Sequence, residues 1–202
     1  MKQRPSLTTA RAAQVFNDAL ACRRDFFQDD QFFKMPDVLE IMFSEFHGWK
    51  LKTYRTKENE DFKRKAGVVV FEDRVMLTVD ERLYANAKRG CSLSNYILAH
   101  EVGHLILEHH AKSAVTKNFQ LFSGPNGMSN IPPTVEELEA NFAGTFFQCG
   151  VALADKRWNT AQLAQRASSD YRYVQRAQTY AQLGVFEDEV ARQRNRFPRV
   201  VL

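Results

Sequence analysis

The string Ala99-His100-Glu101-Val102-Gly103-His104 places two histidines four residues apart, with a glutamate directly after the first. On an α-helix that spacing separates them by ~40° around the axis and ~6 Å along it, so both imidazoles can reach one ion. Zinc is the ion this donor type favours. It takes neutral imidazole nitrogens, and a catalytic site holds it with three protein ligands and leaves a fourth position for water. Glu101 then stands beside that position, where a carboxylate can take the proton from water attacking a carbonyl. Four of the five histidines fall between residues 100 and 110. Around them Leu93, Tyr96, Ile97, Leu98, Val102, Leu105, Ile106 and Leu107 make the segment apolar at almost every helical angle. An unpartnered polar group buried there costs on the order of 1–3 kcal/mol. The competing account is a pair of hydrogen-bonded core histidines with Glu101 in a salt bridge.

A third ligand has two sources. His110 stands ten residues after His100, as in zinc proteases with a third histidine, but those turn the chain back at a glycine where this sequence has Leu107. In a continuing helix His110 lies ~15 Å further along the axis and cannot share the ion. His109 and His110 are therefore expected at the helix end, where imidazolium interacts well with the helix dipole. The other source is the segment from Thr134 to Gln148. At about 100° per residue, Glu137, Asn141, Gly144 and Gln148 share one stripe, Leu138, Phe142 and Phe146 form an apolar face, and Glu139 points with Ala143 and Phe146. Glu137 is the leading candidate, with Glu136 and Glu139 as alternatives. Gly144 would let two helices approach closely, and Asn141, one turn on, can hold the carboxylate or a ligand histidine by a hydrogen bond. Against this, Thr134-x-x-Glu137 is also a capping box, in which Glu137 merely closes the helix start.

The elements that must position these groups follow from periodicity. Residues 8 to 27 carry Ala12, Val15, Phe16, Ala19, Leu20 and Phe26 at helical spacing, and Pro36-Asp37 opens a second helix with Val38, Leu39, Met42, Phe43 and Phe46 as its stripe and Gly48 as its stop. Trp49 to Tyr54 alternates at period two, as a half-exposed strand does, and a charged stretch follows from 55 to 66. Gly67 to Phe71 and Val75 to Val79, separated by Glu72-Asp73-Arg74, read as a hairpin. From Ser92 or Ser94 to about His109 runs a helix buried on all sides. Residues 111 to 133 hold Gly124-Pro125, Asn126-Gly127 and Pro132-Pro133 and read as a long loop, expected to be mobile. After Trp158 the composition turns polar, rich in Gln, Arg and Ala. The fold expected is α+β: a small, mostly antiparallel sheet packed on the buried His-Glu-x-x-His helix and a second ligand-bearing helix, with a C-terminal helical layer.

Length and composition bound the rest. At 202 residues and 23.3 kDa, with 44% hydrophobic and 26% charged residues, the chain can bury a substantial core. No apolar run approaches the ~18 residues of a membrane span. The N-terminal segment, broken by Arg11, Gln14, Asn17 and Asp18, offers no secretory apolar core, so a cytoplasmic location is expected. Cys22, Cys91 and Cys149 are odd in number and far apart, which fits reduced, packed thiols. A net charge of +4 is too mild to select a nucleic-acid partner.

Arg89 through His104, followed by Glu137-x-x-Ala140-Asn141-x-Ala143, resembles the ImmA/IrrE metallopeptidases over about residues 67 to 150. That family's pattern is roughly Phe-Thr-x-Ala-His-Glu-x-Gly-His, then Glu-x-x-Ala/Cys-Asn/Asp-x-Phe-Ala. Phe142-Ala143 is displaced from it by one residue, and Phe146-Phe147-Gln148-Cys149 replaces the usual Leu-Leu-Met-Pro. The resemblance implies His100, His104 and Glu137 as zinc ligands and Glu101 as the base. It implies a metallopeptidase-like domain over 1–150 with a C-terminal helical extension over 151–202. The implied substrate is a cytoplasmic protein, a helix-turn-helix repressor, whose cleavage relieves repression of phage, mobile-element or stress genes. An edge strand, either Gly67 to Phe71 or Val75 to Val79, could accept an extended peptide. Two alternatives remain. One is a non-proteolytic anti-repressor with a structural zinc. The other is a DNA-binding regulator in which Thr160 to Ser168 and Tyr171 to Gln178 form a helix-turn-helix, although the turn glycine of that motif is absent.

Overall fold

The computed structural model describes residues 7–28, 31–55, 66–71, 74–109 and 134–181. Helix α1 (Thr9–Arg24) begins where the Thr8 hydroxyl accepts the Arg11 amide, and it buries Ala12, Val15, Phe16, Ala19 and Leu20. Helix α2 (Met35–Glu45) has Pro36 in its first turn, where a missing N–H costs nothing. The chain then passes Gly48, at φ 84°, into strand β1 (Trp49–Tyr54). Phe43 and Phe46 at the end of α2 lie against Trp49, so the helix folds back on the strand it precedes.

Strands β2 (Ala66–Phe71) and β3 (Arg74–Asp80) pair antiparallel, as the hairpin reading expects. The sheet as a whole is mixed, because β3 lies between the others in the order β1-β3-β2 and runs parallel to β1. Leu77 is the pivot of this register, opposite Leu51 on one side and Val68 on the other. The reason is burial: Val75, Leu77 and Val79 are all buried, whereas β1 exposes Lys50, Lys52 and Thr53, so the most apolar strand takes the centre. Val75 to Val79 is therefore excluded as a peptide-docking edge. Ala66 to Phe71 lies at an edge of the sheet among the described residues.

Asp80 ends β3, and its carboxylate accepts the Arg82 amide at 2.8 Å, starting helix α3 (Glu81–Lys88), which the periodicity reading left out. Helix α4 (Ser92–Ile106) runs through the core, buried from Ser94 to Leu105. Asn95 ties three elements together. Its Oδ1 accepts the Met35 amide at 2.7 Å, and its Nδ2 donates to the carbonyls of Ala87 and Cys91 at 2.9 and 3.0 Å. The loop expected over 111–133, and with it His110, lies outside the described residues.

Helix α5 (Val135–Cys149) packs along α4 with backbones nearly touching. A Cβ on Gly144 would stand 2.4 Å from the Ala99 carbonyl oxygen, and one on Gly103 would stand 2.3 Å from that of Ala140. On its other side α5 receives α1, with the Phe16 and Phe146 rings edge to face at 5.2 Å. At the C-terminal end of α5 the buried Arg23 guanidinium donates to the carbonyls of Phe147 and Gln148, at 2.6 and 3.2 Å, and to that of Gln31. It thereby supplies the positive charge that the end of a helix favours. A short 3-10 turn (Gly150–Ala154), helix α6 (Thr160–Arg166) and helix α7 (Tyr171–Ala181) complete the expected C-terminal layer. Tyr180 packs on Phe142 and its hydroxyl donates to the Leu7 carbonyl at 3.0 Å, joining this layer to the start of α1. The three cysteines are free: Cys149 is buried and Cys22 half-buried, as expected of packed thiols, but Cys91 is exposed.

Candidate metal centre

The close approach of α4 and α5 brings the carboxylate of Glu137 to the two histidines of α4. Its Oε2 lies 3.2 Å from His100 Nε2 and its Oε1 lies 3.5 Å from His104 Nε2. The two Nε2 atoms are themselves 3.1 Å apart. One donor atom from each of the three residues lies within 4.8 Å of the others, so this cluster could hold a metal ion. Both histidines are buried, and the Glu137 side chain, 21% exposed, forms the solvent side. Glu136 and Glu139 lie outside this three-residue cluster.

The capping reading of Glu137 is half realised. Thr134 Oγ1 accepts the Glu137 amide at 3.1 Å, so the backbone of Glu137 closes the helix start. Its carboxylate, which a full capping box would turn back to Thr134, goes to the histidines instead.

Each histidine is held on its far side. His100 Nδ1 lies 2.8 Å from Asn141 Oδ1, which also accepts the Tyr96 hydroxyl. Asn141 thus does what its place one turn beyond Glu137 suggests. For His104 the partner is His109, with the Nδ1 atoms 3.0 Å apart. His109 stands just beyond the end of α4, where it was expected, and it is buried there. Helix α4 stops at Ile106, and Glu108 adopts φ 51°, a left-handed turn made without the glycine thought necessary at 107. The His109 amide then bonds back to the His104 carbonyl at 3.1 Å. Only the tertiary contact identifies His109. Its one sequence signal was membership of the histidine cluster.

Glu101 is fully buried, and among the described residues neither carboxylate oxygen makes a close hydrogen bond, the backbone of Val68 giving only a weak one. Burial pushes its pKa up to about 7; the His100 charge and the backbone of Val68 pull it down, and the Glu137 charge adds to the rise. The salt bridge required if these were ordinary core histidines is therefore missing among the described residues. Burial pulls the His100 pKa down, but the Glu137 hydrogen bond and the charges of Glu101 and Glu137 outweigh it, leaving a net rise. Two imidazoles and one carboxylate form a donor set that could hold a metal ion, with the buried carboxyl of Glu101 next to His100 in the chain.

No protein-family model matches the chain, and neither does any curated protein.

Proposed function

We propose that this chain is a zinc-dependent endopeptidase that acts on a cytoplasmic protein, a helix-turn-helix repressor, and so relieves repression of phage, mobile-element or stress genes. The observation that carries the peptidase reading is the convergence of His100, His104 and Glu137 beside a buried Glu101 that has no ion-pair partner among the described residues. The substrate class comes from the ImmA/IrrE resemblance alone. His100, His104 and Glu137 would hold the ion. Zinc bound there supplies Lewis-acid polarisation of a peptide carbonyl and lowers the pKa of water to near neutrality.

The other steps belong to the chain's own residues. Glu101 takes a proton from the attacking water on a carboxylate oxygen and returns it to the leaving nitrogen, a role suited to a carboxyl whose pKa lies near the working pH. Asn141 and Tyr96 keep His100 turned so that its Nε2 faces the cluster. Strand β2 offers an edge to which an extended peptide can add main-chain hydrogen bonds.

The test is metal analysis and peptide-cleavage assay of the wild type beside Glu101→Gln and Glu137→Ala. One zinc per chain is expected in the wild type and in Glu101→Gln, with cleavage lost in the latter. Glu137→Ala is expected to lower metal affinity far beyond what a capping loss of about 0.5–2 kcal/mol explains. Unchanged cleavage by Glu101→Gln would remove Glu101 from the chemistry, and a zinc-loaded wild type that cleaves no repressor would shift the reading to a structural zinc in a non-proteolytic anti-repressor.

The DNA-binding reading gains one observation: Ser168, at φ 50°, makes the α6–α7 turn that a glycine makes in a helix-turn-helix. The arginines of this pair are already engaged, however. Arg172 pairs with Asp170, Arg176 lies over the rings of Phe142 and Tyr173, and Arg166 lies over Trp158.

A further inference from the structure

We propose that His109, Glu139 and Arg11 form a positioning relay that holds His104 in the one tautomer able to bind a metal, so that a residue of the first helix tunes the affinity of the centre. The inference rests on the reading of the cluster as a metal site.

The direction of each link follows from hydrogen-bond chemistry. His104 Nε2 faces Glu137 and His100, so to act as a ligand it must carry its lone pair there and its proton on Nδ1. That Nδ1 lies 3.0 Å from His109 Nδ1, and one hydrogen can be shared across the gap. His104 donates it, and His109 Nδ1 accepts. The proton of neutral His109 is then on Nε2, which lies 3.1 Å from Glu139 Oε2. Glu139 receives it, and Arg11 holds Glu139 in place. Arg11 Nε and Nη2 each reach one of the two Glu139 oxygens at 2.7 Å, a fork that fixes the carboxylate against His109. A permanent cation on α1 thus terminates a chain that begins at a ligand nitrogen on α4.

The two histidines differ in how much they need such help. His100 faces Asn141 Oδ1, an atom that can only accept, so its Nδ1 carries the proton without further support. His104 faces another imidazole, which can present either a donor or an acceptor. Among the described residues it is the Glu139 oxygen behind His109 that decides between them, and the Arg11 fork holds that oxygen in place. The chain also adopts a sparsely populated backbone conformation at Glu108 to bring His109 into this position.

The decisive experiment compares metal binding and tautomers in the full chain. Stripped wild type, His109→Phe, Glu139→Leu, Glu139→Gln and Arg11→Met are titrated with zinc against a chromophoric chelator, well below their melting temperatures. Zinc-loaded samples give long-range nitrogen–proton spectra of the imidazoles. His109→Phe and Glu139→Leu are expected to weaken zinc binding by roughly 10–100-fold, the range for groups that orient a ligand. Glu139→Gln, which keeps an acceptor oxygen, should recover most of the loss, and Arg11→Met should show a smaller one. The wild-type spectrum should show His104 protonated on Nδ1 and His109 on Nε2. A wild type that binds zinc with His109 protonated on Nδ1, or with affinity unmoved in Glu139→Leu, overturns the relay and leaves the metal centre standing. A wild type that binds no zinc overturns both. Should His109→Phe fail to fold, the Glu139 pair and the wild-type tautomers decide.

Discussion

Glu101 is where chemistry and stability pull against each other. A carboxyl sealed from water with neither oxygen closely hydrogen-bonded costs the fold most when ionised, and burial is what carries its pKa from 4.5 to about 7. The native state therefore holds this proton over a pH range in which the unfolded chain has released it. Stability falls with rising pH wherever the native state binds more protons than the unfolded one. In metal-free protein the Glu101 contribution is thus fully present below pH ~4.5 and lost as the pH rises through about 7. The raised pKa of His100 acts in the same direction, its stabilisation being lost at higher pH. Metal-free wild type should accordingly become less stable between pH 5 and 8. Glu101→Gln, which cannot ionise, should be the more stable of the two at pH 8, with the gap narrowing toward pH 5. Denaturant titration across that range measures the difference, and equal curves for both proteins would show that Glu101 is not strained.

The element on which the centre depends is the α4–α5 contact. Gly103 and Gly144 lie on opposite helices, each under a backbone carbonyl of the other, so neither helix has a neighbouring side chain to move aside. Alanine in place of Gly144 gains up to ~1 kcal/mol of helix propensity. Its Cβ would meet backbone at 2.4–2.6 Å, and overpacking against atoms that cannot rotate costs roughly 1–3 kcal/mol or more. Sterics should win. Gly144→Ala is expected to lower the unfolding midpoint and, by spreading the helices, to draw Glu137 off the histidines and weaken zinc binding in the molecules that remain folded. A variant that binds zinc normally would show that α5 can shift without moving its first turn.

For the whole molecule, the question is what the C-terminal layer is for. Val174, Ala177 and Ala181 of α7 are buried, and Phe142 of α5 meets the rings of Tyr173 and Tyr180. The side of α5 that bears Phe142 is covered by this layer, and Gln148 donates to the Ser168 carbonyl at 3.1 Å to close the junction. With its arginines paired or stacked, α7 offers few charges for phosphate. Binding of random duplex DNA should therefore be weak and change little between low and moderate salt. A steep fall with salt, the signature of several phosphate contacts, would revive the regulator reading.

Two helices and the residues they bring together could be read from the chain because their information is local. The four-residue step from His100 to His104 and the stripe linking Glu137, Asn141 and Gly144 survive whatever surrounds them, since helical geometry fixes which side chains share a face. The hairpin of β2 and β3 was legible for the same reason: β-branched runs close together in the chain pair by proximity. What pairs with what at longer range was not. The insertion of β3 between β1 and β2 depends on which strand buries most, a property of the assembled core. Helix α3 is short, and its start depends on Asp80 serving as a cap, which a sequence of moderate helix formers does not announce. His109 became part of the centre only because Glu108 turns left-handed and α1 and α5 bring Arg11 and Glu139 to meet it. Periodicity determines the faces of helices and the residues that can bind an ion together; the tertiary structure decides which partners stand behind them, because those hydrogen bonds close over chain separations as long as that from Arg11 to Glu139.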